Sequence, residues 1–557
     1  MIETLNIDQI KAMFRGGAQN LALNKAYIDS LNVFPVPDGD TGTNMNLTMA
    51  STIREMEGAE SDRTADVCQA IARGALKGAR GNSGVILSQI FKGVSAELAE
   101  AKAITPKIFA RALKNGSNVA YDVVTRPKEG TILTVIRLMS DYALKAASRK
   151  EDFLAFFPAI LKKGEEVLQK TPDMLPVLKK AGVVDAGGRG LLVILTGMYN
   201  VLAGVEMQKL EEETSSAEQE IDVADPEIHN LEDIKFAYCT EFFIINLHKK
   251  TTMADIDKLR EKLGKIGDCV LVVGDLQLVK IHVHTNNPGK ALEYALQLGE
   301  LERPKIENML EQHRALQNGK KSAEVPEPKA APAVRPEPIK EAGMVAICTG
   351  SGLKSIFGEL GVDLVIEGGQ TMNPSVDDIV NAVDSVPANT VYILPNNSNI
   401  VLAAEQAKEL TKAKLVVIAT KNIPQGIAAA ISFDPDGTLE QNVEAMSAAA
   451  ARVRSGQVTH AVRETEMDGF MLKNGDIIGI YHGVIVAKGD EIAAVTRDVI
   501  DKMTDDDTAS ITLYYGEGVT EADAEELVAS VQEDYPFYDV VACRGGQNHY
   551  YYYISVE

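Results

Sequence analysis

The string PVPDGDTGTN sets two carboxylates, Asp38 and Asp40, on either side of Gly39. Paired carboxylates on a compact turn are the hard oxygen donors that suit Mg²⁺, which keeps part of its water shell and takes other ligands from substrate phosphates. Asn32, just upstream, is a further oxygen donor. A solvated turn can have the same composition, so the pair gains meaning only from its company. Three other loops are loaded in the same way: KGARGNSG, TRPKEGT and VVDAGGRG. Each opens a helix, with Thr43, Ser83 and Thr131 where an N-cap or first-turn residue belongs. Their glycines leave backbone N–H groups open, and a helix N-terminus adds a positive dipole end that suits phosphate oxygens. One Gly-rich helix start is most simply a tight turn; four that meet would make a phosphate site. Arg80, Arg126, Lys128 and Arg189 lie in these loops and are candidates to neutralise a transferred phosphoryl group, with ordinary surface charge as the alternative for any one of them.

The elements that must position these loops read as helix after helix. Apolar periodicity predicts helices near 8–31, 42–56, 64–77, 84–99, 105–123, 131–147, 151–181 (interrupted by Pro172 and Pro176) and 188–206. The connections after the second, fourth and sixth helices are plain and polar, and the loaded ones follow the first, third, fifth and seventh. Alternate connections of an up-down bundle lie at one end, so all four loaded loops are expected to converge there.

Composition narrows the rest. The chain has 557 residues with 79 acidic against 56 basic, a net charge of −23 that argues against nucleic acid as a partner. No apolar run reaches the roughly 20 residues of a membrane helix, and MIETLNIDQIKAMFRGG lacks a signal-peptide core, so a cytoplasmic chain without a membrane span is expected. Cysteines at 68, 239, 269, 348 and 543 form no disulfide framework. No Walker A string is present; Thr349–Ser355 lacks the Gly-Lys pair, and the protein-kinase HRD and DFG strings are missing too.

NVFPVPDGDTGTNM (32–45) resembles the metal loop of the dihydroxyacetone-kinase L-type domain, an eight-helix barrel that binds ATP with two magnesium ions. GNSGVILSQ, KEGTILTV and VVDAGGRGLL are similar to that family's other nucleotide-contacting segments. The resemblance carries metal ligation to Asp38 and Asp40, and nucleotide contacts to Thr41, Thr43, Asn44, Asn82, Ser83, Gly84, Thr131, Asp185 and Gly187. Arg80 and Arg126 join the two aspartates as catalytic candidates. The family's third aspartate, five residues before the DGD pair, is Val33 here, and the ligand role passes to neighbouring Asn32. This departure, with the domains that follow, resembles the ATP-binding component of bacterial fatty-acid kinase, which phosphorylates a fatty acid presented by a separate fatty-acid-binding subunit. The chemistry agrees: no histidine precedes His229, and a carboxylate acceptor, ionised at pH 7 with a pKa of about 4–5, needs no general base. A dihydroxyacetone-type kinase and a nucleotide-sensing scaffold without turnover are the alternative functions.

An acidic segment (211–232) and a Pro/Ala/Glu/Lys segment (318–342) read as linkers, dividing the chain into 1–210, 233–317 and 343–557. The middle piece reads as a small α/β module: strands in FAYCTEFFIINL, DCVLVVG and LQLVKIHVHT, the last two a hairpin around Gly274-Asp275, and helices over MADIDKLREKLGKI and PGKALEYALQLGEL. His282 and His284 share a strand face, as do Cys239 and Glu241. If those strands pair, Cys239, His282 and His284 make a candidate zinc site, with a solvated strand face as the alternative. The family resemblance implies zinc here and a role for the module in a homodimer. The last piece reads as α/β with a parallel sheet, its loops GGQTMNPS, PNNSNI and KNIPQG at the carboxyl ends of strands where such sheets take ligands. GGQTMNPS resembles a loop of the fatty-acid-binding partner family and is expected to be a docking surface for that partner.

Overall fold

The first helix starts for a reason visible at its first turn: Asn6 accepts from the Gln9 backbone while the Gln9 side chain returns to Asn6, closing a capping box. The helices are α1 (Ile7–Leu23), α2 (Lys25–Ser30), α3 (Thr41–Glu57), α4 (Thr64–Lys77), α5 (Gly81–Ala99), α6 (Pro106–Val123), α7 (Ile132–Ala147), α8 (Phe153–Leu168), α9 (Thr171–Met174), α10 (Pro176–Ala181) and α11 (Ala186–Ala203). From α3 to α8 each helix packs on the next; α8 packs on α11, and α11 on α1, which also touches α3. Met45, Met49, Leu87, Ile136, Phe156 and Ile194 lie in the shared core. A Cβ on Gly197 would stand 2.3 Å from the Gly16 carbonyl, so α1 and α11 meet backbone to backbone. Helix α11 is long and apolar enough to cross a membrane by composition alone, but its Leu191–Leu195 run is buried in this core.

The continuous helix expected over 8–31 is broken at Asn24. The Asn24 amide donates to the Asn20 carbonyl at 2.8 Å, and the Asn20 amide reaches across to the Val193 carbonyl at 2.7 Å. Buried amide side chains of this kind compete with the helix ladder. The separate short helix α2 carries Asp29.

The computed structural model describes residues 1–32, 39–59, 61, 63–124, 127–148, 152–205, 238–245, 247–248, 251–274, 279–308, 335, 337–369, 373–461 and 465–557. They fall into two units: Met1–Glu213 with Arg335–Glu557, and Thr214–Val334.

The second unit holds β1 (Tyr238–Ile245), α12 (Met253–Gly264), β2 (Gly267–Gly274), β3 (Val279–Thr285), α13 (Pro288–Leu296) and β4 (Glu300–Asn308). Its sheet is antiparallel, ordered β2-β3-β1-β4. Phe242, Ile244, Ile281 and Val283 form one buried face under Ile256, Leu259, Ala291 and Ala295. The sequence reading gave the module no strand after its last helix. Charged residues and Pro304 disguise β4, and both suit an edge strand, which pairs on one side only.

In the first unit, β5 (Lys340–Cys348) starts inside the segment expected to be a linker, and Arg335 before it donates to the Ala388 carbonyl. There follow α14 (Ser351–Glu359), β6 (Leu364–Glu367), α15 (Val376–Ser385), β7 (Ala388–Leu394), α16 (Ser398–Ala407), β8 (Lys414–Val417), α17 (Ile423–Ile431) and α18 (Leu439–Arg452). Strands β5–β8 form the parallel sheet, ordered β6-β5-β7-β8. The later strands do not extend it. They are β9 (Arg454–His460), the hairpin β10 (Thr465–Met467) and β11 (Phe470–Leu472), β12 (Ile477–Tyr481), β13 (Val484–Gly489), β14 (Ser510–Tyr515), β15 (Asp539–Arg544) and β16 (Tyr550–Val556). Apart from the hairpin they build a second sheet, ordered β13-β12-β9-β16-β14-β15, in which only β14 and β15 run parallel. Helices α19 (Ile492–Met503) and α20 (Glu521–Asp534) pack on it.

The helical part and the parallel sheet share a core: Ala79 and Val85 cluster with Val376, Ile379, Val383 and Ile400. Polar bonds line the same seam. The buried Gln89 amide donates to Gln406 Oε1 at 2.7 Å, and exposed Lys92 pairs with Glu409 at 2.8 Å.

Candidate functional site

Asp40 is the N-cap of α3, yet its side chain makes no capping bond to that helix. Asp29 does the work instead: its Oδ1 accepts from the Thr43 backbone N–H at 3.0 Å and its Oδ2 from the Thr43 hydroxyl at 2.8 Å. An N-cap aspartate normally spends its carboxylate on the first turn. Here α2 supplies that carboxylate, and Asp40 Oδ2 accepts from the Asn373 amide at 2.6 Å.

The starts of α3 and α5 lie together. Ser83 Oγ is 3.5 Å from Thr41 Oγ1, and a Cβ on Gly81, whose φ is +55°, would come within 2.7 Å of the Asn44 amide. Helix α5 begins at Gly81, earlier than the periodicity predicts, which brings Asn82 and Ser83 into its first turn beside Gly84. The start of α11 joins the same end, since a Cβ on Gly190 would lie 2.6 Å from Met45 Sδ in α3. Asp185 caps α11, its Oδ2 accepting from the Gly188 N–H at 2.7 Å, and it also accepts from the Ile132 N–H at the start of α7. Gly187 packs against Ile132. Burial pushes the Asp185 carboxyl up to about 6, outweighing the opposite pull of those two N–H donors. Thr131 precedes α7 without capping it; its hydroxyl donates to the Lys128 carbonyl at 2.8 Å. Neither α5 nor α7 has a side-chain cap of its own. Four helix starts therefore meet, linked in the order α5, α3, α11, α7.

Several expected roles change. The Arg80 guanidinium donates to the Asn373 carbonyl at 2.7 Å and pairs with Asp378 at 3.3 Å, so it clamps the parallel-sheet half rather than standing open to a phosphate. Arg189 is held by Glu165 through bonds of 2.8 and 2.9 Å. The Asn82 amide donates to Asn399 Oδ1 at 3.0 Å. Asn32 follows α2, its backbone N–H bonded to the Asp29 carbonyl at 3.1 Å. Asp38 and Arg126 lie outside the described residues.

Sequence reasoning missed Asp29 and Asn373. Asp29 sits within an apparently unbroken helix, where nothing marks it as a cap. Asn373 belongs to the GGQTMNPS loop, whose polar character was legible but not its destination. That loop was expected to face a partner; its described end instead pairs with the start of α5, with Arg80 bridged to Ser375 and the Val376 N–H donating to the Ala79 carbonyl at 3.1 Å. The other two Asn-rich loops are also engaged internally: the Asn396 amide donates to the Ile347 carbonyl at 3.0 Å, and the Asn422 side-chain oxygen accepts from the Ser455 hydroxyl at 2.9 Å.

The residues present fit hydrated magnesium and a polyphosphate. Carboxylate, hydroxyl and amide oxygens gather beside the helix starts, of which α5 has no side-chain cap, and one buried oxygen there, Asn373 Oδ1, has no hydrogen-bond partner among the described residues. In the second unit, backbone pairing sets position 239 opposite 284 and position 241 opposite 282. These positions alternate with buried Thr240, Phe242, Ile281, Val283 and Thr285, so they fall on the other face of the sheet.

Three family descriptions match the chain: DAK2 domain over 35–200, FakA-like fatty acid kinase middle domain over 235–316, and FakA-like fatty acid kinase C-terminal domain over 343–557. Protein YloV of Bacillus subtilis strain 168 is 41% identical over 562 aligned residues, covering 100% of both chains. Uncharacterized protein SAR1202 of Staphylococcus aureus strain MRSA252 is 39% identical with the same coverage. Among solved structures, the DegV family protein Cg2579 from Corynebacterium glutamicum aligns over 39% of this chain and 98% of its own, at 12% identity and a TM-score of 0.31. The Streptococcus pneumoniae fatty acid kinase (Fak) B3 protein loaded with linoleic acid aligns over 39% and 99%, at 12% identity and a TM-score of 0.28. At these TM-scores the two likenesses carry no functional argument.

Proposed function

The chain belongs to the FakA-like fatty acid kinase family, and on that footing we propose that it is the ATP-binding, phosphoryl-transferring component of such a kinase, acting in the cytoplasm on a fatty acid presented by a separate fatty-acid-binding protein. One observation carries the reading: Asp40, the N-cap of α3 in a set of four helix starts linked one to the next, is spared its capping duty by another carboxylate. The closed neighbour order of α1, α3–α8 and α11 supports an eight-helix barrel with this site at one end.

In this reading Asp38 and Asp40, with Asn32 as a further oxygen donor, hold two magnesium ions. The ions would supply charge neutralisation on the phosphate oxygens. Thr41, Thr43, Asn44, Ser83 and Gly84 surround the phosphates with hydroxyl, amide and backbone donors, with Asn82, Thr131, Asp185 and Gly187 shaping the rim. A fatty-acid carboxylate oxygen attacks the γ-phosphorus, the bond to the β–γ bridging oxygen breaks, and ADP leaves. No proton has to move, in keeping with a helical domain that has no histidine. Positioning and charge neutralisation then account for catalysis. With Arg80 and Arg189 engaged elsewhere, Arg126 and Lys128 are the loop cations left for the transferred group.

Cys239, His282 and His284 are proposed to hold zinc, and the middle domain to pair two chains; the strand register supports the first by setting 239 opposite 284. Elemental analysis should find about one zinc per chain, lost in the double variant His282→Ala, His284→Ala. The main test is transfer from γ-labelled ATP with magnesium to a fatty acid on its carrier protein. A hydroxylamine-sensitive acyl phosphate is expected; label appearing on dihydroxyacetone instead, or ATP binding without any turnover, would overturn the proposal.

A further inference from the structure

Asn373 lies 333 positions beyond Asp40 in the chain, yet its amide nitrogen donates to Asp40 Oδ2 at 2.6 Å. Its backbone is fixed as firmly. The carbonyl accepts from Arg80 Nη1 at 2.7 Å, Arg80 also pairs with Asp378, and the next residues bridge to Ala79 and Arg80. The residue is 2% exposed, and its Oδ1 is buried with no hydrogen-bond partner among the described residues. Reversing the amide would not repair this, because an oxygen would then face the Asp40 carboxylate at the same short distance. A buried carbonyl oxygen kept unpaired beside a carboxylate calls for an explanation.

We propose that Asn373 is a positioning residue of the kinase site, supplied to the helical half by the parallel-sheet half. The inference rests on the reading of Asp40 as a magnesium ligand. The Asn373 amide nitrogen fixes the orientation of the Asp40 carboxylate, the service that outer hydrogen bonds commonly perform for metal ligands. Its unpaired oxygen is the acceptor that a hydrated ion needs close by. The loop from β6 to α15 is therefore part of the phosphoryl-transfer machinery.

The test uses the full chain with ADP and Mn²⁺ as a spectroscopic stand-in for magnesium, bound metal being read by electron paramagnetic resonance. Asn373→Ala should weaken Mn²⁺ binding about 10- to 100-fold. Asn373→Ser, too short to reach Asp40, should lose as much, and it decides the matter if the alanine variant fails to fold. Gln406→Ala breaks a buried bond of the same seam away from the site; it should lower the metal-free Tm while leaving Mn²⁺ affinity unchanged. Wild-type Mn²⁺ affinity in a folded Asn373 variant, or an equal loss in Gln406→Ala, overturns the inference. Asp40→Ala separates the two levels. If it abolishes Mn²⁺ binding while the Asn373 variants bind normally, only the role of Asn373 falls; if it too binds normally, the kinase-site reading falls with it.

Discussion

Helices α3 and α11 both begin with an aspartate at the N-cap, and the two carboxylates are used in opposite ways. Asp185 turns inward, holding the Gly188 N–H of its own helix and the Ile132 N–H of α7. Asp40 leaves its own first turn to Asp29 and bonds Asn373 instead. The same residue at the same helical position is thus a clamp on helix starts in one place and, in the other, a half-buried carboxylate that does not cap its own helix start. What separates them is a second carboxylate delivered by a helix break. An N-cap aspartate can serve as a metal ligand only when something else satisfies the helix it opens.

The comparison breaks most visibly through activity. Asp40→Ala should lower phosphoryl transfer about a thousandfold or more, since the proposed metal ligand is lost. Its cost in unfolding free energy should be about 1 kcal/mol, from the Asn373 amide bond alone, because no cap is removed. Steady-state transfer and chemical denaturation on one sample check both halves. Asp29→Ala should do the reverse in part: loss of the Thr43 bonds costs about 1–2 kcal/mol, and activity falls about 10- to 100-fold as the start of α3 loosens around Asp40. An Asp29→Ala protein of unchanged stability would show that α3 needs no borrowed cap.

Asp185→Ala should cost about 1–2 kcal/mol, with activity lowered less than tenfold. The finest test is pH dependence. Burial raises the Asp185 carboxyl to about 6 in the folded chain, against an unfolded value of about 3.9. The folded state therefore holds this proton more tightly. The stability it contributes is complete below about pH 4 and is lost as pH rises through about 6. The Tm of the wild-type chain relative to Asp185→Asn should fall across that window and stay level above it. A difference that rises with pH would mean that the two N–H donors outweigh burial.

Much of this frame was legible in the sequence because it is local. The 3.6-residue period gave the helices, and the alternation of plain and loaded loops marked one end as the candidate site. The DGD turn named Asp40, and the apolar runs of β5, β7 and β8 gave the parallel sheet. What escaped depends on partners distant in the chain or on weak local patterns. The break at Asn24 comes from amides that bond across to Val193, and it alone makes Asp29 a cap. Arg80 looked like a phosphate ligand because its neighbours are glycines, and Asp378, which engages it, lies in another half of the chain. Strand β4 carries charges and a proline that only an edge position tolerates. The second sheet of the C-terminal half was read as strands, but register and direction come from pairings such as β9 with β16 that no short window contains.

The distinction between the two aspartates is tested most directly by isothermal titration of ADP, with and without magnesium, into Asp40→Asn and Asp185→Asn side by side. Both changes remove one charge and keep the side-chain shape. Asp40→Asn should lose the magnesium-dependent part of ADP affinity, while Asp185→Asn should keep it. Wild-type magnesium dependence in Asp40→Asn, or its loss in Asp185→Asn alone, would contradict the assignment.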